Sequence, residues 1–232
     1  MLTDLAIACR KSGLRVVELP GWGMRGRPGS FAPRGILVHH TGGSSDGRDY
    51  AVWMATVGRS DLPAPLCQVA LDRNGTVYVS AAGRANHGGT AKATGPMPSG
   101  DANTLYIGIE AMNTGSEGWS ATQYDAYARL CAALCKHYGW PASHVRAHRE
   151  TSITGKWDPG GLDMGPFRRD IEALTEGDDD MPYTDWPKAD KDALKDDVAA
   201  AVVKALLSED LYPRQDKDVS VRKALKKAER KR

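Results

Sequence analysis

The sequence predicts an α/β domain over residues 1–175 with a central mixed β-sheet flanked by helices, followed by a C-terminal amphipathic helix and a basic tail. Three observations carry this. Short β-favouring runs at 14–19, 36–40, 66–71, 76–80 and 105–110 alternate with segments whose apolar residues follow helical spacing. Asp72-Arg73-Asn74-Gly75 separates two of those runs and reads as a hairpin turn, so the sheet is mixed and not all-parallel. The charge balance changes after residue 175: 18 basic residues against 15 acidic before it, 4 against 11 over 176–212, and 9 against 3 over 213–232.

In chain order, residues 2–12 form a short helix with Gly13 as its stop, and Leu14 to Leu19 form a first strand closed by Pro20-Gly21. Gly21 to Arg34 is a loop whose arginines could meet an anionic substrate or simply be solvated. Ile36-Leu37-Val38-His39-His40 is a buried strand ended by Gly42-Gly43. A helix follows around Arg48–Val57, then Pro63 and Pro65 break the chain before the hairpin strands. Residues 83–103 lack periodicity, and a loop of that length in a compact domain is usually functional. Leu105 to Glu110 is a strand with an acidic residue at its end, and Ala121–Tyr138 is a helix stopped by Gly139-Trp140-Pro141. A short segment delivers Val145 to His148, a loop covers 149–161, and a helix over Phe167–Leu174 closes the domain.

Residues 176–184 read as a linker, with Asp185 capping the next helix. Leu194, Val198, Val202 and Leu206 make an apolar stripe that needs a partner; self-association, docking on the domain and wall binding all satisfy it. The basic tail fits either polyanion attraction or a solvated end. No nucleic-acid partner is expected. No apolar run approaches the roughly 20 residues of a membrane span, and Met1 to Cys9 has no basic start and carries Asp4, unlike a secretory signal. Manufacture in a bacterial cytoplasm without membrane insertion is the expectation. Cys9, Cys67, Cys131 and Cys135 form no CxxC pair and read as buried thiols.

A hydrolytic zinc site needs three protein ligands, a base, and a cation or donor for the developing oxyanion. The candidates at strand or loop ends are His39, His40, Glu110, His148 and Asp158, with Lys156 two residues before Asp158 and so on its side of an extended stretch. Each alone fits an ordinary structural role; a lone His39-His40 pair more often belongs to a core. The set together points to a site.

Val38-His39-His40-Thr41, Gly75-Thr76-Val77-Tyr78, Ile107-Gly108-Ile109-Glu110 and His148-Arg149-Glu150 with Lys156-Trp157-Asp158-Pro159-Gly160 resemble, in order, the zinc-dependent N-acetylmuramoyl-L-alanine amidases of the type-2 family, which is related to peptidoglycan recognition proteins. Gly83-Arg84-Ala85-Asn86-His87-Gly88-Gly89 and the Asp163 to Arg168 segment look most like endolysins of phages that infect actinobacteria. The resemblance spans roughly residues 14–175 and not 181–232. It implies that His39, His148 and Asp158 hold Zn2+, that His40 shapes the site, and that Glu110 and Lys156 are catalytic. It further implies cleavage of the amide between N-acetylmuramic acid and L-alanine in peptidoglycan, with Asn86 and His87 lining the substrate groove. Some relatives have cysteine where this chain has Asp158, and others place a tyrosine where it has Leu66-Cys67-Gln68. Three roles follow: a phage endolysin acting on a host wall after release, a cytoplasmic wall-recycling amidase, or a non-catalytic peptidoglycan-binding module. The C-terminal extension favours the first over the second, and the retained ligands and Glu110 weigh against the third.

Overall fold

The structure, a computed structural model, describes residues 1–176. The rest of the expected linker, the amphipathic helix and the basic tail lie outside the described residues. The main elements are α1 (Leu5–Arg10), β1 (Val16–Glu18), β2 (Gly35–His40), α2 (Gly47–Thr56), β3 (Val69–Leu71), β4 (Val77–Val79), β5 (Tyr106–Ala111), α3 (Ala121–Tyr138), β6 (Val145–Ala147) and α4 (Met164–Glu176). They follow the predicted order. Helix α3 has the predicted bounds because both ends are specified: the Ser120 side chain accepts from Gln123 N–H at 3.1 Å, and Gly139 takes the left-handed conformation that ends the helix.

The six strands form one sheet in the order β1-β4-β3-β5-β2-β6. The β3–β4 hairpin is antiparallel, as the Asn74-Gly75 turn requires, and the other four pairings are parallel. The Asp72 carboxylate organises that turn, accepting from the N–H groups of Asn74 and Thr76 and from the Tyr78 hydroxyl.

Period-two alternation sorts the central strands onto two faces. Ile36 and Val38, Ile107, Ile109 and Ala111, and Val145 and Ala147 pack in one core with α1, α3 and α4. Leu37 and Tyr106 pack on the opposite face with Ala91, Met97 and Ala102, beside a further cluster built on α2. His39 has the parity of Leu37, and Glu110 the parity of Tyr106, so both belong to the face away from α3.

Two expectations are corrected. The 83–103 segment is not wholly irregular: Thr90–Ala91 pairs with Gly100–Asp101, and Ala102–Leu105 makes a helical turn capped by Asp101. The closing helix begins at Met164, before the expected Phe167, because Asp163 Oδ1 accepts from Gly165 N–H and Pro166 sits in the first turn, where no N–H is needed.

Candidate active site

Strands β2, β5 and β6 run parallel and end at the same edge, where parallel sheets present their ligand sites. In register, His39 lies opposite Glu110, and β6 hands the chain to a helical turn, His148–Thr151, that starts with His148. The Glu150 carboxylate fixes this turn, accepting from Ala147 N–H at 2.8 Å while held by Arg168 at 3.0 and 3.1 Å. Arg149 then brings the following loop back. Its N–H donates to the Asp158 carbonyl at 2.8 Å, and its guanidinium donates to the carbonyls of Pro159 and Leu162. Asp158 thus returns to His148 although ten residues separate them.

The result is a convergent group. His39 Nδ1 and His148 Nδ1 lie 2.8 and 3.0 Å from the same Asp158 oxygen, Oδ2. All three residues are buried, and one candidate ligand atom from each lies within 4.8 Å of the others. Burial lowers the His39 pKa to about 4, against the pull of Asp158, so the ring is neutral as a metal ligand must be. Burial alone would raise the Asp158 pKa, but hydrogen bonds and charge from His148 and His39 hold it far below the usual carboxylate range. Two imidazoles and one carboxylate, with no fourth residue in the group among those described, fit an open tetrahedral zinc site.

The other nitrogen of His39 is also occupied. Its Nε2 lies 3.1 Å from His87 Nδ1, so His87 backs the ligand from the side away from Asp158. His87, expected along the groove, is only 9% exposed. Its ring lies over Gly108, where a Cβ would come 2.5 Å from the ring; glycine makes room for it. Asn103 Oδ1 accepts from the N–H groups of both His87 and Gly88, which pins this part of the long loop to the helical turn before β5. Asn86 anchors the same loop through its side chain to the Pro63 carbonyl at 2.8 Å.

Glu110 Oε2 is buried without a hydrogen-bond partner. Burial, then the charge of Asp158, push its pKa well above the ordinary value, while Lys156 acts in the opposite sense. An orphaned carboxyl of this kind is suited to exchanging a proton with a reacting group. Lys156 is exposed, two residues before Asp158. His40 stands apart from the group: its Nδ1 accepts from Gly160 N–H at 3.0 Å, consistent with a shaping role. Cys67 is fully buried, and burial followed by the charge of Glu110 raises its pKa; it is not in the ligand group.

Sequence reasoning missed Tyr127. From the buried face of α3 its hydroxyl accepts from His39 N–H at 2.9 Å and lies 3.0 and 3.1 Å from the carbonyls of Ile109 and His39. It therefore sits in the seam between β2 and β5, just before Glu110. The available signal was a tyrosine on an otherwise apolar helix face, since a buried phenol needs a partner. Arg73 was also missed: from the hairpin turn it donates to the Gly43 and Ser45 carbonyls and to Glu117, tying together the loops that follow β2 and β5. In the 21–34 loop, Arg25 donates to the backbone carbonyls of Ser80 and Pro20.

Solved structures share this fold. An AmpD derivative superposes with a TM-score of 0.52 at 23% identity, covering 68% of this chain and 93% of that one. PlyL gives 0.52 at 20% identity over 72% and 99%, and the catalytic domain of XlyA gives 0.50 at 21% over 68% and 99%. A comparison with curated proteins returns no match. The profile of one family, described as N-acetylmuramoyl-L-alanine amidase, matches residues 29–161, a span that takes in His39, Glu110, His148, Lys156 and Asp158. With more than half its length matched, and the matched part carrying the whole convergent group, the chain belongs to the N-acetylmuramoyl-L-alanine amidase family.

Proposed function

We propose that this chain is a zinc-dependent hydrolase that cuts the amide between the lactyl group of N-acetylmuramic acid and L-alanine in peptidoglycan. The observation that carries the reading is the buried, partnerless Oε2 of Glu110, in register with His39 and beside a buried His39–His148–Asp158 group. Bound by those three residues, zinc would supply Lewis acidity, polarising the scissile carbonyl and acidifying an attacking water. Glu110 takes the proton from that water and returns it to the leaving amine. The Lys156 ammonium stabilises negative charge on the carbonyl oxygen in the transition state. His87 and Tyr127 hold His39, the former at its ring Nε2 and the latter at its backbone. Asn86 sets the wall of the substrate groove from the long loop.

The physiological role that fits best is lysis of a bacterial wall as a phage endolysin. Its support is in the sequence: a small soluble recycling substrate would not require the acidic 176–212 and basic 213–232 segments. The Leu194 to Leu206 stripe would then be used for wall binding or for pairing of two copies. The test is digestion of purified actinobacterial wall with and without a chelator, scoring new amino termini and new reducing sugar ends. Amidase action yields new L-alanine amines and no reducing ends, and is lost on chelation. Reducing ends would instead mean a glycosidase, and no cleavage would mean a binding module. Turnover of soluble muropeptides but not of intact wall would favour recycling.

A further inference from the structure

Trp157 has no part in that chemistry. It stands between Lys156 and Asp158 and is 56% exposed, yet its position is fixed. The ring meets His40 edge to face, with centroids 4.3 Å apart and planes at 70°. Two glycines make its seat: a Cβ on Gly160 would overlap the indole, and one on Gly115 would come 2.5 Å from it and overlap His40. Gly115 takes a positive φ of 83°, and its N–H is held by Asn113 Oδ1 at 2.7 Å. The Gly160 peptide is gripped on both sides, by His40 Nδ1 at its N–H and by Trp119 Nε1 at its carbonyl, 2.8 Å away. A large aromatic face is thus built rigidly and left open to water one residue from a candidate metal ligand.

Its chemistry favours one side of the substrate. The indole face is apolar, and its support is the His40 ring, whose Nδ1 accepts from Gly160 N–H. The stem peptide carries carboxylates that call for cations or N–H donors, whereas a pyranose presents a face of C–H groups. The muramoyl ring is joined to the scissile carbonyl through the short lactyl ether alone, so it must lie close to the metal-ligand group. We propose that the exposed face of Trp157 is a stacking platform for the pyranose ring on the glycan side of the scissile amide, an inference that rests on the amidase reading.

The test compares two substrates, an N-acetylmuramoyl peptide and the lactoyl peptide that lacks the sugar, with wild type, Trp157→Ala and Trp157→Phe. Retention of the wild-type melting temperature identifies folded variants. Trp157→Ala should lower kcat/KM on the muramoyl substrate by about tenfold, mainly through KM, with lactoyl-peptide turnover within about twofold. Trp157→Phe should recover most of the loss. Equal losses on both substrates, or no loss on either, would overturn the platform. Binding of a muramoyl disaccharide peptide to metal-free protein, followed by calorimetry, gives a second readout: Trp157→Ala should weaken it similarly, and unchanged affinity counts against the proposal. If wild type cleaves neither substrate, the amidase reading fails, and the binding experiment decides the platform by itself.

Discussion

Tyr127→Phe isolates a single buried hydroxyl and so tests how the sheet holds the candidate metal ligand His39. The variant keeps the ring and its edge-to-face contact with Phe167, at 5.5 Å and 67°, so cavity cost is minimal. What goes is the only polar atom of a side chain with 0% exposure. His39 N–H loses its acceptor at 2.9 Å, and the carbonyls of Ile109 and His39 lose a donor. A buried donor left unpaired costs about 1–3 kcal/mol. The two carbonyls add little, because a hydroxyl has one proton for both. We therefore expect a destabilisation of about 2 kcal/mol, which for a domain of this size lowers Tm by roughly 4–8 °C. Urea unfolding should show a lower midpoint at unchanged m. Because the same hydroxyl positions the His39 backbone, zinc affinity measured against a competing chelator should drop about tenfold. A loss under about 0.5 kcal/mol together with unchanged zinc affinity would refute the bridging role.

Other substitutions probe neighbouring parts. Lys156→Ala should keep its zinc, measured by metal analysis, and lose about 100-fold in turnover; an unchanged rate removes Lys156 from the mechanism. Gly108→Ala places a methyl 2.5 Å from the His87 ring, so it should cost about 1–3 kcal/mol and weaken zinc binding, whereas Gly108 variants would be neutral if His87 did not occupy that site. Asp4, on the segment leading into α1, accepts from His137 on α3 at 2.8 Å, and this bond lowers its pKa from 3.8. A depressed carboxylate pKa adds stability above pH 3.8 that disappears as pH falls through the folded value. Asp4 is about half exposed, so Asp4→Asn should cost only about 0.3 kcal/mol at pH 7; a gap between variant and wild type that persists at pH 2 contradicts this origin. The buried thiols of Cys9, Cys67, Cys131 and Cys135 should resist a thiol reagent until urea unfolds the chain. Fast labelling of any one in native buffer would show that its burial is transient.

Much of this architecture was legible in one dimension because the signals are local. Helix α3 could be bounded from Ser120 and Gly139, since caps satisfy backbone groups within a few residues of themselves. The antiparallel pair at Asn74-Gly75 follows from turn geometry in the same way. The central runs could be recognised as strands from their short, largely apolar stretches bounded by turn residues. Their order in the sheet could not, because parallel pairing joins segments far apart in the chain, as Ile36 with Ile107 and with Val145.

The same division runs through the site. Sequence determined the ligand types, and the resemblance of their spacing to a known family named His39, His148 and Asp158 as a set; the structure brings these three together. Why His39 and not His40 turns to Asp158 was not readable from Ile36-Leu37-Val38, where every residue is apolar and alternation leaves no mark. Pairing decided it: packing Ile36 and Val38 against α3 sends Leu37 and His39 to the other face, where Glu110 also stands. Tertiary structure alone also placed His87 behind His39, Tyr127 in the seam, and Trp157 on its glycine seat. The contacts of His39 with His87 and Tyr127, and of His40 with Trp157, join residues about 50 to 120 positions apart and arise only when separate elements pack, so no local pattern in the chain could record them.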